Sequence, residues 1–478
     1  MGRFQRWVGL LILGSAAGAA ALLWFAVSAG GGQTDQSASE GLLFGVWSVL
    51  YDTDAPSIQV LAAAGALAVL FAAGVALIEQ RITNRARRSY APSSMPLAPK
   101  VVMEATRSQW AGPVTVTVLI PAHNEETLIG ATIASLQQQS HRPERIIVVA
   151  DNCTDRTIEI AWASGVDVVE STGNRHKKAG ALNQALAVVL PGQGDNDVVM
   201  VMDADTTLDD GFLEAAVRRL TDDRALMAVG GLFYGEEGRG VLGQFQRNEY
   251  IRYARDMKRR RGRVFVLTGT ASLFRPLALR KIAESRGTTL PGVRGHVYDT
   301  AALTEDNELT IAIKSLGGLM ISPQECTVVT EVMPTWNALW AQRLRWQRGA
   351  LDNLGAYGIT RQTFRYWAQQ LGIGYGVIAL ASYFVLIGLM AASIASWIWF
   401  PFWLGLGLVF MAERLVTVWR GGWQARLLSL TLFPELFYAM FLDVVYVKGV
   451  LDISFARQAS WGHEAAEATD VQAAQVAA

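Results

Sequence analysis

The sequence predicts an α/β domain built on a mainly parallel sheet, with membrane-spanning helices on both sides of it. From about Pro113 to Trp340, apolar runs of strand length alternate with helical patterns, the order of elements that builds a parallel sheet. Hydrophobic residues make up 51% of the 478 residues and charged residues 18%, less charge than soluble domains usually carry. Apolar runs of membrane-crossing length stand before and after the α/β region.

The N-terminal residues 1–88 predict a hairpin of two transmembrane helices. Apolar runs from Trp7 to Val27 and from Ile58 to Ile78 each approach the ~20 residues that cross a bilayer. Arginines lie just before the first run and just after the second, whereas the loop at 30–57 carries acidic residues. Because Lys and Arg favour the cytoplasmic side, both ends of the hairpin are expected there. A cleaved signal peptide is the alternative for the first run, although the run exceeds the usual apolar core of one.

The remaining boundaries follow from composition. Residues 89–112 contain prolines that cannot sit inside a helix, so we expect an extended linker before the α/β domain at 113–340. Residues 341–370 place Trp beside Arg and predict interfacial helices. Residues 371–455 predict C-terminal transmembrane helices, and the Ala-rich tail at 456–478 is expected to be disordered. The apolar runs are Leu371 to Ser393, Trp397 to Met411 and a doubtful third from Leu427 to Val447.

Neither the net charge nor the cysteines indicate a nucleic-acid partner, a metal site or a redox site. Lys plus Arg and Asp plus Glu balance at 42 each, so net charge gives no reason to expect a nucleic-acid partner. Membrane lipids are the expected surroundings. Cys153 and Cys326 form no C-x-x-C pair, and we expect small buried residues rather than a metal or redox site.

The segment from Val198 to Thr206 ends a buried strand in two carboxylates, Asp203 and Asp205. Magnesium prefers oxygen ligands and commonly combines one or two carboxylates with substrate phosphates. The pair therefore predicts a metal and diphosphate site, with a simple polar turn as the alternative.

Two neighbouring strands end in polar loops. The apolar run Val114 to Ile120 leads into the loop Pro121 to Glu126, and the run Arg145 to Ala150 leads into Asp151. Ligands of open parallel sheets bind at such strand ends, so both loops are candidates for nucleotide contacts. The first loop would look the same if it only capped a helix, and Asp155 is expected to be the N-cap of the next helix.

Three further segments carry chemistry. Gly173 to Asn183 places basic residues beside small ones at a helix start, which suits a phosphate, although a solvated basic turn has the same composition. Thr268 to Arg275 is a small-residue turn that lets a sugar approach the backbone. Thr304 to Thr310 puts three acids at a helix start, where either helix capping or a catalytic base explains them. The basic run Arg255 to Arg263 is interpreted as a solvated or lipid-facing surface.

In their order along the chain, these motifs resemble the membrane-embedded family 2 glycosyltransferases, the group of cellulose synthase, hyaluronan synthase, poly-N-acetylglucosamine synthase and ceramide glucosyltransferase. The resemblance runs from about Val116 to Gly349. It rests on Asp151, Lys-Ala-Gly-Ala-Leu-Asn at 178–183, Asp-Ala-Asp at 203–205, Thr-Glu-Asp at 304–306 and Gln-Arg-Leu-Arg-Trp at 342–346.

The resemblance implies a GT-A fold that binds a nucleotide sugar, usually a UDP-sugar. Asp306 would be the catalytic base, with Glu305 or Glu308 as substitutes, and Asp205 with Asp203 would hold Mg²⁺ or Mn²⁺. The nucleotide sugar would be bound by Pro121, His123, Asn124, Glu126, Asp151, Lys178 and Asp203. The acceptor and the diphosphate would be gated by Thr304, Glu305, Gln342, Arg343, Arg345 and Trp346.

The sequence thus predicts an inverting, metal-dependent transferase of the bacterial inner membrane, with its catalytic domain in the cytoplasm. One base and one metal suffice for a single displacement at a sugar carbon, and the acceptor would be a polysaccharide or a lipid. The familiar processive synthases have more helices after the catalytic domain, which leaves processive synthesis open. The alternatives are a non-catalytic scaffold or transporter that senses nucleotide sugar, and a polyprenyl-phosphate sugar transferase.

Overall fold

The computed structural model describes residues 90–106, 112–260, 262–392, 397–399 and 401–457, together with scattered positions before residue 90. The chain separates into two compact units, one from residue 82 to 363 and one formed by residues 1–81 with 364–459. The spans predicted at 7–27 and 58–78 lie mostly outside the described residues, and so does the tail predicted from residue 456.

The unit from residue 82 to 363 contains ten strands and nine helices among its described residues. Its strands are β1 Thr115–Ala122, β2 Arg145–Ala150, β3 Asp167–Glu170, β4 Asp197–Met202, β5 Thr206–Leu208, β6 Leu226–Gly230, β7 Leu232–Gly235, β8 Ala271–Phe274, β9 Leu319–Ile321 and β10 Thr327–Thr330. Its helices are α1 Pro99–Ala105, α2 Ile129–Gln137, α3 Thr157–Ala163, α4 Lys177–Val189, α5 Phe212–Asp222, α6 Gly240–Arg259, α7 Pro276–Ser285, α8 Glu305–Ser315 and α9 Trp336–Tyr357.

Seven strands form the central sheet, in the order β9-β6-β8-β4-β1-β2-β3. Strand β1 pairs in parallel with β2 on one side and with β4 on the other, and β9 is parallel to β6. Only β8 runs against its neighbours, β4 and β6. The predicted α/β fold with a mainly parallel sheet is therefore confirmed, with one antiparallel strand inserted beside β4.

Helices cover both faces of this sheet, which is why its central strands are apolar along their whole length. Leu119, Ile147 and Val199 face a core that includes residues of α4, α7 and α8. The alternate residues Val118 and Met200 face a second core that includes residues of α2 and α5. The period of two in a strand thus divides one apolar run between two cores.

A second, three-stranded sheet has the order β5-β10-β7. Strand β5 follows Asp205 directly and pairs antiparallel to β10, which in turn pairs in parallel with β7. Thr206 at the start of β5 is fully buried. The acidic turn at the end of β4 is therefore held from both sides, by the large sheet before it and the small sheet after it.

The segment predicted as an extended linker is part of the fold. Leu97 is fully buried, and its amide donates to the carbonyl oxygen of Leu316 at 3.0 Å. Helix α1 begins at Pro99, a first-turn position where proline is tolerated, and buries Val102. The linker prediction for 89–112 is therefore wrong for Leu97 to Ala105, because the apolar residues between the prolines pack into the core.

The other unit contains α10 Phe364–Ala392, α11 Pro401–Thr417, α12 Gly422–Leu430 and α13 Phe433–Ser454. Strands Ser39–Leu43, Trp47–Tyr51 and Trp397–Trp399 form its three-stranded sheet.

Within the residues described here, one helical stretch, Phe364–Val385, is long and apolar enough to cross a membrane. The predicted run from Trp397 begins as a strand, and the doubtful run from Leu427 is divided between α12 and α13. Transmembrane helices on both sides of the α/β unit therefore stay a prediction.

A buried ion pair fixes the position of α8. Arg286 after α7 is fully buried and donates both terminal nitrogens to Glu308 on α8, at 2.6 and 2.7 Å. The same guanidinium also donates to the carbonyl oxygens of Pro291 and Val297, and the Tyr357 hydroxyl at the end of α9 donates to Glu308. With both oxygens bound by Arg286, Glu308 is a structural residue, and the expectation that it could substitute as catalytic base is wrong.

Removing the charge of Glu308 should destabilise the unit. Glu308→Gln keeps the shape but leaves Arg286 buried without a counter-charge, which costs ~3–5 kcal/mol. At about 2–4 °C per kcal/mol, the melting temperature should fall by on the order of 10 °C. Thermal unfolding of the purified protein measures this.

The matched control is Glu284→Gln, which removes the acid of an exposed pair with Lys281 on α7. Exposed pairs contribute at most about 1 kcal/mol, so its melting temperature should stay near the parent value. Equal melting temperatures for the two variants would contradict the role assigned to the buried pair.

Candidate active site

The parallel pairing of β1, β2 and β4 brings their carboxyl ends to one edge of the sheet. Three polar loops therefore meet there: Pro121 to Glu126 after β1, Asp151 to Thr157 after β2, and Asp203 to Asp205 after β4. Ligands of open α/β sheets bind outside these strand ends. The N-termini of α4 and α8 supply Lys178 and Glu305 to the same edge, as the contacts below show.

Lys178 joins the end of β4 to the start of α8. Its Nζ lies 2.5 Å from Asp203 Oδ1 and 2.8 Å from Glu305 Oε1. Burial disfavours the ammonium, yet the two carboxylates raise the pKa of Lys178 well above its usual range. Burial also opposes the charge of Glu305, but Lys178 and then Arg345 lower the pKa of that carboxyl. The ammonium is therefore held as a fixed cation between two carboxylates.

Asp306 lies directly beside this cluster. The amides of Gly269 and Asn307 donate to its two oxygens, at 3.2 Å and 2.7 Å. Burial, reinforced by the charge of Glu305, raises the pKa of Asp306 to about 6. Lys178, Gly269, Glu305 and Asp306 line one cavity. A carboxyl poised near neutral pH in a cavity is suited to accept a proton.

Gly269 explains the small-residue turn that precedes β8. A Cβ at this position would lie 3.3 Å from Lys178 Nζ and 3.5 Å from Asp203 Oδ2. The backbone of Thr270 accepts the amide of Asp203 at 3.1 Å. The turn therefore passes close to the charged groups and leaves the cavity open.

Asp203 and Asp205 fit a divalent cation. Burial, reinforced by the charge of Asp203, raises the pKa of Asp205 to about 6, and the Thr206 hydroxyl donates to Asp205 Oδ1 at 3.0 Å. The like charges of the two carboxylates repel each other, and a bound cation would relieve this repulsion. Across the described ranges, no cluster of three or more His, Cys, Asp or Glu is arranged to hold a metal alone. Mg²⁺ and Mn²⁺ sites of this type take further ligands from phosphate and water.

The loop after β1 is fastened to the loop after β2. His123 Nδ1 lies 2.6 Å from the carbonyl oxygen of Asp151, and Asn124 Oδ1 accepts the Thr154 amide at 2.8 Å. Glu126 Oε2 accepts the Arg156 amide at 3.2 Å. These three predicted nucleotide-binding side chains thus hold the two loops together, and Pro121 is a buried residue of β1.

Asp151 is a buried carboxylate with neutral donors. Its Oδ1 accepts hydrogen bonds from Ser171 at 2.6 Å, from Asn174 at 2.8 Å and from Asn152 at 3.1 Å. These bonds fix its orientation at the end of β2. Asp155 was expected to be the N-cap of α3, but the N-cap is Arg156; Asp155 lies one residue earlier, and its Oδ1 accepts the Thr157 amide at 3.0 Å.

Two residues lie in segments that the sequence singled out but were given no role of their own. Glu125 lies among the acids of the site, since burial followed by the charges of Asp205 and Glu331 raises its pKa to about 7. Asn183, the last residue of the Lys-Ala-Gly-Ala-Leu-Asn motif, binds the backbone of Tyr298, a residue that lines the cavity. The adjacent acids Glu125 and Glu126 could have indicated a role for Glu125. No local pattern predicts that Asn183 contacts the backbone of Tyr298.

Helix α9 packs directly on the start of α8. Gly349 makes this possible, since a Cβ there would lie 2.4 Å from Thr304 Oγ1. Asn353, one turn later, donates to the Thr304 carbonyl oxygen at 3.3 Å. The buried Thr304 therefore serves as the contact between the two helices, and α9 determines where Glu305 and Asp306 lie.

The Gln-Arg-Leu-Arg-Trp motif occupies the first half of α9. Gln342 Oε1 is buried and has no hydrogen-bond partner, whereas Trp346 keeps 37% of its surface exposed. Arg345 acts electrostatically on Glu305, as described above. Arg343 Nη2 lies 3.0 Å from Glu249 on α6, a helix to which the sequence assigned no chemistry.

Comparison with known proteins finds relatives of the α/β domain. Residues 117–283 match the model of Glycosyl transferase family 2. The chain is 32% identical over 248 residues to "Probable glycosyltransferase YdaM" of Bacillus subtilis, covering 49% of this chain and 54% of that protein. It is 27% identical over 250 residues to "Poly-beta-1,6-N-acetyl-D-glucosamine synthase" of Staphylococcus aureus (strain COL), covering 50% and 55%. The chain thus spans about half the length of the curated relatives it matches.

Among solved structures, one match is a mannosyltransferase from Pyrobaculum calidifontis in complex with GDP-Man and Mn²⁺. The sequence identity is 17%, the TM-score is 0.44, and the match covers 82% of this chain and 97% of that chain. Residues 117–283 thus match the same family that the motifs resemble, and the fold of this region is the mainly parallel α/β sheet described above.

The contact at Gly349 can be tested by adding one methyl group. Gly349→Ala places a Cβ 2.4 Å from Thr304 Oγ1, so α9 must move away from the start of α8. Glycosyl transfer should fall at least ~10-fold, because displacements of about 1 Å in positioning elements cost up to 10²-fold. Initial rates measure the effect.

Gly130→Ala is the matched control, because a Cβ on this glycine of α2 would meet its nearest atom, Ile160 Cγ2, at an ordinary 3.6 Å. Its rate should equal that of the parent. A Gly349→Ala variant with parental activity would contradict the close packing described here.

Proposed function

We propose that this protein is an inverting, metal-dependent glycosyltransferase that moves a sugar from a UDP-sugar to a growing polysaccharide. The observation that carries the proposal is the cavity where Asp306 lies beside Lys178, which in turn binds Asp203. A base for the acceptor and cationic groups for the leaving diphosphate are what the reaction requires. The match to a relative named as a poly-β-1,6-N-acetylglucosamine synthase supports a polysaccharide acceptor and makes UDP-N-acetylglucosamine the first donor to test.

The transfer proceeds in one displacement. Asp306 takes the proton of the acceptor hydroxyl as the acceptor oxygen forms a bond to the sugar C1. The bond from C1 to the diphosphate oxygen breaks, and UDP leaves with the electron pair. Lys178 stabilises the negative charge that develops on the leaving oxygens. Attack from the face opposite the leaving group inverts C1, and no second carboxylate is needed as a nucleophile.

Asp203 and Asp205 would hold the divalent cation, and the loops after β1 and β2 would hold the nucleotide. Mg²⁺ or Mn²⁺ supplies positive charge to the diphosphate when bound. Asp151 would hydrogen-bond the base or ribose through its carboxylate, which the neighbouring side chains already orient. Gln342, Arg345 and Trp346 would cover the diphosphate and meet the acceptor.

We further propose that the protein lies in the bacterial inner membrane, with the unit from residue 82 to 363 on the cytoplasmic side. The apolar stretch Phe364–Val385 and the low charge of 18% support this location. Nucleotide sugars are then available on the side where the site opens.

A panel of nucleotide sugars tests the proposal. Purified protein in lipid is offered each donor with Mg²⁺ or Mn²⁺, and released UDP and the length of the product chain are measured. UDP release that a saccharide acceptor accelerates above the slow release to water is the expected result. Donor binding without turnover would instead favour a sensor or scaffold, and a product of one sugar on a lipid would favour a lipid glycosyltransferase.

Asp306→Asn should separate chemistry from folding. The variant is nearly isosteric, so it should bind UDP-sugar and metal about as well as the parent, while transfer falls by ~10² to 10⁴, the usual contribution of a positioned base. With a pKa of about 6, the parent should lose activity as the pH falls through that value, because the protonated acid cannot accept a proton. Stopped transfer assays and donor titrations measure both.

If Asp306 only capped α8, Asn would serve equally well at the helix start. Near-normal transfer by a folded Asp306→Asn variant would therefore refute the assignment, and Glu305 would be the remaining candidate in that turn.

Asp205→Ala should remove metal binding together with activity. Asp205 would hold the cation, so without this carboxylate Mn²⁺ should no longer tighten UDP binding in a calorimetric titration. Asp210→Ala, which removes an exposed acid five residues later, is the matched control and should leave both quantities unchanged. Full parental activity in EDTA would contradict the metal requirement.

A further inference from the structure

Arg343 on α9 is enclosed by three side chains. Its Nη2 lies 3.0 Å from Glu249 Oε2, and its guanidinium carbon lies 4.3 Å from the ring centroid of Trp346 and 5.8 Å from that of Tyr250. Both ring distances are within the ~6 Å range of cation–π attraction. Arg343 itself is buried, with 6% of its surface exposed.

These contacts connect Trp346 to the three-stranded sheet. Tyr250 is buried on α6 and meets Phe233 of β7 edge to face, with ring centroids 4.7 Å apart. The guanidinium of Arg343 lies between the rings of Tyr250 and Trp346, and Trp346 is one helical turn further along α9. Trp346 is the exposed member of this series, with 37% of its surface accessible.

The enclosure argues against direct contact between Arg343 and substrate. A buried guanidinium needs a counter-charge, which Glu249 supplies, and that ion pair aims the Nη2 donor at α6. The planar group then stacks on the indole of Trp346, a geometry that lysine cannot reproduce. Arg343 therefore acts on the orientation of Trp346, and the expectation that it gates the diphosphate itself is revised.

We propose that Glu249 and Arg343 are positioning residues that hold the Trp346 indole in place to receive the acceptor saccharide. The inference rests on the proposed function, since it assigns the acceptor side of the same site. Aromatic rings bind sugars through their apolar faces, and a ring already held in one rotamer does not lose that freedom when the acceptor binds. Loss of the pair weakens acceptor binding and leaves donor chemistry in place.

Arg343→Met tests this, because it keeps a long apolar side chain and removes the charge and the planar group. With UDP-N-acetylglucosamine as donor and a β-1,6-linked N-acetylglucosamine tetramer as acceptor, the acceptor KM should rise ~3- to 10-fold, the cost of ordering one large side chain. The donor KM and the rate of UDP release to water without acceptor should stay at the parental values. Glu249→Gln should change the acceptor KM in the same direction.

Arg348→Met is the matched control for helix stability. Arg348 lies on the same helix, its side chain is 5% exposed, and it pairs with Asp352 at 3.1 Å, so the substitution removes a comparable buried ion pair away from Trp346. Its melting temperature should fall as in Arg343→Met, while its acceptor KM stays parental. An equal rise in acceptor KM for both variants would overturn the proposal.

A double-mutant cycle shows whether Arg343 acts through Trp346. In a Trp346→Ala background, Arg343→Met should change the acceptor KM by less than about twofold, because the ring it holds is gone. Additive effects, or a loss of acceptor-free UDP release in Arg343→Met, would overturn the assignment while leaving the proposed function intact. A parent protein that releases no UDP from any UDP-sugar of the panel would instead overturn the proposed function, and this assignment with it.

Discussion

The contact on which the site depends is the ammonium of Lys178 between two carboxylates, Asp203 at 2.5 Å and Glu305 at 2.8 Å. Asp203 belongs to the end of a sheet strand and Glu305 to the start of a distant helix. Without a cation between them, the half-buried Asp203 and the buried Glu305 would repel each other with little water to offset their charges. Lys178 therefore determines how close α8 can come to the sheet, and with it the position of Asp306.

The start of α8 must stay close to Lys178, and two further contacts hold this helix end in place. Arg286 binds Glu308 on α8 through a buried bidentate pair, and Gly349 lets α9 touch Thr304 just before the helix begins. Neither contact reaches the cavity. Both limit the movement of a short turn in which Asp306, the proposed catalytic base, stands next to a second acid that already binds Lys178. Precision at Asp306 thus comes from packing more than from its own hydrogen bonds.

The parts of the site that lie at strand ends could be predicted from the sequence, because parallel strands deliver successive loops to one edge. Strand β2 has the predicted bounds, Arg145–Ala150, and Asp203, Lys178 and Asp306 do meet. Side-chain contacts could not be predicted: nothing in the sequence shows that His123 Nδ1 contacts the backbone of Asp151. The pairing of Glu249 with Arg343 joins residues 94 positions apart, which no local pattern reveals. The linker prediction gave too much weight to prolines and too little to Leu97, which is fully buried.

The charges also link donor binding to metal binding. Lys178 and the proposed cation share Asp203, so the ammonium already offsets part of the negative charge that would otherwise attract the metal. Asp205 in turn has a pKa raised to about 6 by burial and by Asp203, which makes protons competitors of the cation near neutral pH. A diphosphate adds negative charge opposite these groups and therefore strengthens cation binding, and by thermodynamic reciprocity the cation strengthens diphosphate binding equally. Neither the cation nor the diphosphate is expected to bind this site well alone. Two carboxylates offer the cation too few ligands, and one ammonium offers the diphosphate too little positive charge.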